Sequence, residues 1–207
     1  KPIEVVNYPA KGLDPVIMDL DLEYDFNFLT VAQWSPRKNL ENTIKWFIEE
    51  FMDDEVGLVV KANVAKNCIY DRYKCEKQMG EILSAYPDRK CKIYLLHGGL
   101  KDEEVHGLYH NNKIKALINL AHGEGLYMPV TNKKGMTKTK PMFAKVGYEL
   151  GQVQPNSIWE GVIEKETSWC YPDPLSYKNK LRDVYKDQPR FKKQASGLKK
   201  WIAEEFE

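Results

Sequence analysis

Arg37 and Lys38 stand side by side in Gln33-Trp-Ser-Pro-Arg-Lys38, between an apolar β-branched run and Asn39. Asn39 is a residue type that caps helices. Two cations beside the free N–H groups of a helix start make a diphosphate site. Arginine grips phosphate oxygens as a fork, and lysine acts as a point charge. An exposed basic turn accounts for the pair equally well. A second cluster is His122-Gly-Glu-Gly125. Its glycines let the backbone approach a ligand closely, and Glu124 offers a carboxylate to hydroxyl donors such as those of a sugar. A glycine turn with a solvated glutamate is the plainer account. His106 and His110, four apart, share one helix face and could both reach a metal. No third ligand stands nearby, and a solvated or half-buried helix face explains them better. Lys133–Lys140 holds four lysines and no acid, which suits anionic ligands but reads more simply as a solvated loop.

These residues need elements to position them. Phe26-Asn-Phe-Leu-Thr-Val-Ala32 reads as a buried strand. After the Gln33–Lys38 loop, Asn39 caps a helix with the stripe Leu40, Ile44, Phe47, Ile48 and Phe51. Val56–Val60 is the next strand, and Ile69, Tyr73, Met79, Ile82, Leu83 and Tyr86 mark a second amphipathic helix. Cys91–Leu96 is a third strand. Val105, Leu108 and Tyr109 lie along a short helix capped by Asp102, and Ile114–Ile118 is a fourth strand. Short apolar strands alternating with helices imply a parallel sheet covered on both faces, an α/β Rossmann-like domain. Ligands of such sheets lie outside the carboxyl ends of the strands. That points to the loops Gln33–Lys38, Lys61–Lys66, His97–Leu100 and Asn119–Leu126. Phe143–Tyr171 has no clear period. A helix follows over Leu175–Tyr185, then an amphipathic tail with Phe191, Ala195, Leu198, Ile202 and Phe206 in one stripe.

The 207 residues are 43% apolar and 29% charged, with a net charge of +1. This excludes a disordered chain and argues against a nucleic-acid binder, which carries a basic excess. Cys68, Cys75, Cys91 and Cys170 form no C-x-x-C pair and read as reduced intracellular thiols. No apolar run reaches the ~20 residues of a membrane span, and the expected location is cytoplasmic. No G-x-G-x-x-G follows the first strand, which speaks against a dinucleotide oxidoreductase.

Phe28-Leu-Thr-Val-Ala-Gln-Trp-Ser-Pro-Arg-Lys-Asn39 resembles the first strand and phosphate loop of retaining GT-B-fold glycosyltransferases of the group 1, family 4-like type. Ile93-Tyr-Leu-Leu-His-Gly-Gly-Leu100 and Ala116–Leu126 are similar to that family's third strand and its donor-sugar loop. Trp169-Cys-Tyr-Pro-Asp173 is similar to its closing segment. The resemblance implies the C-terminal, donor-binding half of a hexosyltransferase using a nucleoside diphosphate sugar, with no metal or other cofactor. By resemblance Glu124 is the first glutamate of an E-x7-E motif and touches the donor sugar, flanked by His122, Gly123 and Gly125. Lys38 faces the donor diphosphate. The family often has an arginine where Gln33 stands, so Arg37 supplies that charge, with Lys61 a weaker phosphate contact. His97 and Gly98 fall where the base is held.

The second glutamate of the motif would be residue 132, which is Asn132. Either the motif is degenerate, or a stretch that would supply a helix, a fifth strand and a glycine turn is absent near 126–127. We expect the second. The expected organisation is a linker over 1–25, a nucleotide-sugar-binding domain over 26–189 and an amphipathic helix over 190–207. The resemblance also implies a separate N-terminal acceptor domain as partner and little turnover by this chain alone. The alternative function is a degenerate, non-catalytic nucleotide-sugar-binding or interaction module.

Overall fold

The computed structural model describes residues 13–123 and 143–206, with side chains to Lys200. Glu124, Gly125, Asn132, the Lys133–Lys140 cluster and the junction at 126–127 lie outside the described residues. The chain groups into two compact units, each built from separate stretches of sequence. One takes residues up to Trp34 and Phe51–Asn119. The other takes Ser35–Glu50 and Leu120–Glu205. The expected 26–189 span is thus shared between the two.

The first unit holds a four-stranded parallel sheet of β1 (Asn27–Gln33), β2 (Gly57–Asn63), β3 (Lys92–Leu96) and β4 (Ile114–Leu117). The order is β3-β2-β1-β4. Taken with the helices that flank it, this is the expected Rossmann-like α/β fold. Register explains the strand sequences. Phe28 pairs with Leu58 and Thr30 with Val60 on one face, while Leu29 pairs with Val59 on the other. All six are buried, as a sheet covered on both faces demands. Phe28 also packs against Phe51, the rings tilted by 34° with centroids 5.8 Å apart.

Helix α2 (Ile69–Ser84) links β2 to β3, and α3 (Asp102–His110) links β3 to β4. The buried line of α2 is Asp71, Cys75 and Met79. Ile69 and Tyr73, expected on the inner stripe, are exposed instead. A carboxylate, that of Asp71, takes the inner position of the first turn. In α3, Asp102 is the first helical residue rather than the cap. The Glu104 carboxylate accepts the Lys101 N–H at 2.7 Å, so a third-position acid does the capping.

Residues 16–22 also belong to this unit and pack into it. The Val16 N–H donates to the Glu103 carbonyl at 2.9 Å, and Met18, Leu20 and Leu22 join Leu29, Val59 and Leu108 in one apolar cluster. Gly107 permits this approach, since a Cβ there would lie 1.8 Å from the Val16 carbonyl oxygen.

The second unit begins with a 3-10 turn, Pro36–Lys38, and α1 (Leu40–Glu50). Asn39 joins them in the left-handed region at φ 53°, a conformation asparagine tolerates. Its carbonyl accepts the Thr43 N–H and its amide donates to the Leu120 carbonyl at 3.2 Å. Residues 143–171, which lack a sequence period, contain an antiparallel pair, β5 (Tyr148–Gln152) and β6 (Ser168–Pro172). β5 is exposed on both faces except at Gly151, so no alternation marks it. Helix α4 (Pro174–Lys186) starts at Asp173, whose carboxylate accepts the Ser176 N–H. It packs on α1: Tyr177 donates to the Thr43 carbonyl, Arg182 pairs with Glu50 at 2.6 Å, and Lys178 pairs with Glu49. Helix α5 (Gln188–Phe206) follows. Its half-buried line over the described side chains is Gln188, Phe191, Gln194 and Leu198, so Gln194 stands where Ala195 was expected.

Candidate functional site

In the second unit, the cationic turn and the glycine loop are tied together. The His122 N–H donates to the Arg37 carbonyl at 2.8 Å, and the Arg37 guanidinium donates to the Gly123 carbonyl. Part of the Arg37 donor set therefore holds the loop in place. On its other side, the loop bonds to β6: the Cys170 N–H donates to the His122 carbonyl at 2.9 Å, and His122 Nδ1 lies 2.7 Å from the Cys170 carbonyl. A carbonyl cannot donate, so Nδ1 carries the proton. The buried His122 ring stacks on Trp169 at 5.4 Å and meets Tyr171 at 4.8 Å. His122 is thus a strut that fixes where Gly123 begins, and Lys38 sits on the same turn as Arg37.

The first unit carries the remaining described candidates along the carboxyl edge of its sheet. Val31, Lys61 and Leu96 are register partners across β1, β2 and β3. Gln33 ends β1, and its amide donates to the Val64 carbonyl at 2.6 Å, pinning the loop after β2. Lys61 Nζ donates to the Gly98 carbonyl at 2.7 Å. Burial lowers its pKa, opposed by the Cys75 thiol. Gly98 has φ 111°, a region that strains residues with a side chain.

His97 is part of a cluster that the sequence did not mark. Asp71 Oδ1 accepts the Val64 N–H at 2.8 Å, and Oδ2 accepts the Ala65 and Lys66 N–H groups at 2.6 Å each. His97 Nε2 lies 3.0 Å from Asp71 Oδ1, and the Cys75 thiol 3.8 Å from the same oxygen. Burial pushes the Asp71 carboxyl up, but the N–H groups of Lys66, Val64 and Ala65 and the His97 ring outweigh it, holding the group well below the usual carboxylate range. Burial and the Asp71 charge push the Cys75 thiol up to about 11, so it stays protonated and unreactive. The ligand atoms of Asp71, Cys75 and His97 lie within 4.8 Å of one another, as a metal site would require. The Asp71 oxygens already serve five donors, so the cluster closes on its own hydrogen bonds.

His106 and His110 each spend one ring nitrogen on a backbone carbonyl. Their Nδ1 atoms face the Leu13 and His106 carbonyls at 3.0 Å each, and the rings meet edge to face at 4.3 Å. All four cysteines are free. Among the described residues no helix is long and apolar enough to cross a membrane.

The expected site residues thus fall into two groups. Arg37, Lys38, His122 and Gly123 share the second unit, and Gln33, Lys61, His97 and Gly98 share the first. No protein-family profile matches the chain, and a search of curated proteins returns no match.

Proposed function

We propose that this chain is the donor-binding half of a GT-B-fold glycosyltransferase. It binds a nucleoside diphosphate sugar and passes the hexosyl group, with retention, to an acceptor held by a separate N-terminal domain. The observation that carries this reading is the bonding of the Arg37-Lys38 turn to the His122-Gly123 loop. It brings the Arg37 guanidinium against the backbone of Gly123, the residue that precedes Glu124 in sequence. The sheet order β3-β2-β1-β4 supports it as well, because a Rossmann-like sheet binds nucleotides at its carboxyl edge.

In this reading Lys38 neutralises charge growing on the leaving diphosphate. The N-terminal dipole of α1 adds to it. Glu124 orients the sugar, and His97 with Gly98 holds the base. Positioning and electrostatics carry the chemistry, with no bound metal and no protein nucleophile. The proposed compartment is the cytoplasm. The test is calorimetric titration of the chain with UDP and with GDP. One of them should bind, and Lys38→Glu should weaken that binding at least about tenfold. No heat with either nucleotide on folded protein overturns the donor site, and unchanged affinity in the variant overturns the role of Lys38. A chain that binds nucleotide but stays inactive with its acceptor domain present is instead the non-catalytic module that Asn132 suggests.

A further inference from the structure

The Asp71–His97 pair lies where two loops of the carboxyl edge meet. Asp71 gathers three consecutive backbone N–H groups from the loop after β2, and it also holds the ring that follows β3. The side chains of His97 and Asp71 are 6% and 5% exposed, so this bond is shielded from water. A carboxylate in that position accepts from His97, and Nε2 is therefore the protonated nitrogen. The other nitrogen, Nδ1, has no hydrogen-bond partner among the described residues. Among the described residues the buried side-chain polar atoms without a hydrogen bond are Asn27 Oδ1 and Gln194 Oε1, and His97 Nδ1 is not one of them. One ring nitrogen is thus engaged by Asp71, and no described residue bonds the other.

We propose that Asp71 is the positioning residue of the nucleoside subsite, and that it fixes His97 as the Nε2–H tautomer so that bare Nδ1 accepts a hydrogen bond from an N–H or O–H of the base or ribose. This rests on the nucleotide-binding reading above and adds two things to it. The contact is a side-chain acceptor, so it selects ligands with a donor at that point and rejects those that present a lone pair. Its geometry is set by Asp71, a residue on another element that touches no ligand. The Lys61 bond to the Gly98 carbonyl steadies the backbone next to His97 from the β2 side. Asp71 therefore couples the two loops: a shift of the loop after β2 moves the imidazole after β3.

The test compares wild type with His97→Gln and Asp71→Asn. Glutamine keeps an amide N–H near the Nε2 position for Asp71 but has no atom at Nδ1. The chain is titrated calorimetrically with UDP, GDP and inorganic pyrophosphate. In His97→Gln, affinity for whichever nucleotide binds should fall at least about tenfold. Pyrophosphate affinity and melting temperature should hold. Equal nucleotide affinity in His97→Gln overturns the inference while leaving the donor site standing. Failure of wild type to bind either nucleotide overturns both. Nitrogen-detected NMR of the His97 ring gives a reading independent of ligand. It should show the neutral ring carrying its proton on Nε2 rather than Nδ1, with that preference lost in Asp71→Asn. A ring protonated on Nδ1, or an unchanged tautomer in Asp71→Asn, overturns the positioning role.

Discussion

Asp71 shows how one side chain organises a ligand edge. Its oxygens accept from three successive N–H groups, an imidazole and a thiol, and its carboxyl is held well below the usual range despite burial. A depressed folded-state pKa gives stability that is present above the unfolded value of about 3.9 and is lost as pH falls below it. Asp71→Asn should therefore melt below wild type at neutral pH, and the gap should narrow as pH falls from about 5 to about 3. Thermal melts across that range decide it; a gap constant with pH would show that the carboxylate charge contributes nothing. The cluster was invisible in the sequence for a physical reason. Asp71, Cys75 and His97 come from a helix and a strand end that only the sheet brings together, and Asp71 sits in a stretch whose apolar neighbours Ile69 and Tyr73 draw the periodicity to the wrong side of the helix. By contrast His97 and Gly98 were legible as edge residues, because they directly follow an apolar run.

At the scale of elements, strands were easy to read and the second helical layer was harder. The two central strands, β1 and β2, are buried on both faces, and a continuous apolar run marks each of them; β3 and β4 are half-buried and marked by shorter apolar runs. Boundaries moved where burial did not stop with apolarity. β2 runs on through Lys61-Ala-Asn63 because β1 pairs with it as far as Gln33. The β5–β6 pair was illegible because β5 is nearly all exposed. Helix α4 answers to the helix expected over Leu175–Tyr185, and it starts one residue earlier because Asp173 caps it and Pro174 takes its first position. Its inner line, Tyr177, Leu181 and Val184, is buried. Leu181 is 4% exposed, so Leu181→Ala should cost about 2–4 kcal/mol of unfolding free energy. Denaturant unfolding measures this, and a loss under about 1 kcal/mol would mean that the site collapses around the missing atoms.

For the whole molecule, the chain passes between its two units after Trp34, Glu50 and Asn119. The element carrying Arg37 and Lys38 is thus separated in sequence from the loop it binds by the bulk of the other unit. No reading of contiguous segments yields that division, whereas the α/β class follows from element order alone. The candidate site divides in the same way. Its cation pair and its base-side histidine belong to different units, and each group is coherent within its own.

Among the described residues β4 pairs on one side only, with β1, and Leu117 on it is 57% exposed. A strand edge unpaired among the described residues, with an exposed leucine, offers a template for intermolecular pairing. The purified chain should therefore self-associate as its concentration rises, and Leu117→Lys should suppress this. Light scattering over a concentration series decides the matter: equal scattering from both proteins would place the sticky surface elsewhere. The same edge sets how the protein must be handled, since dilute solution favours the monomer on which every binding measurement above depends.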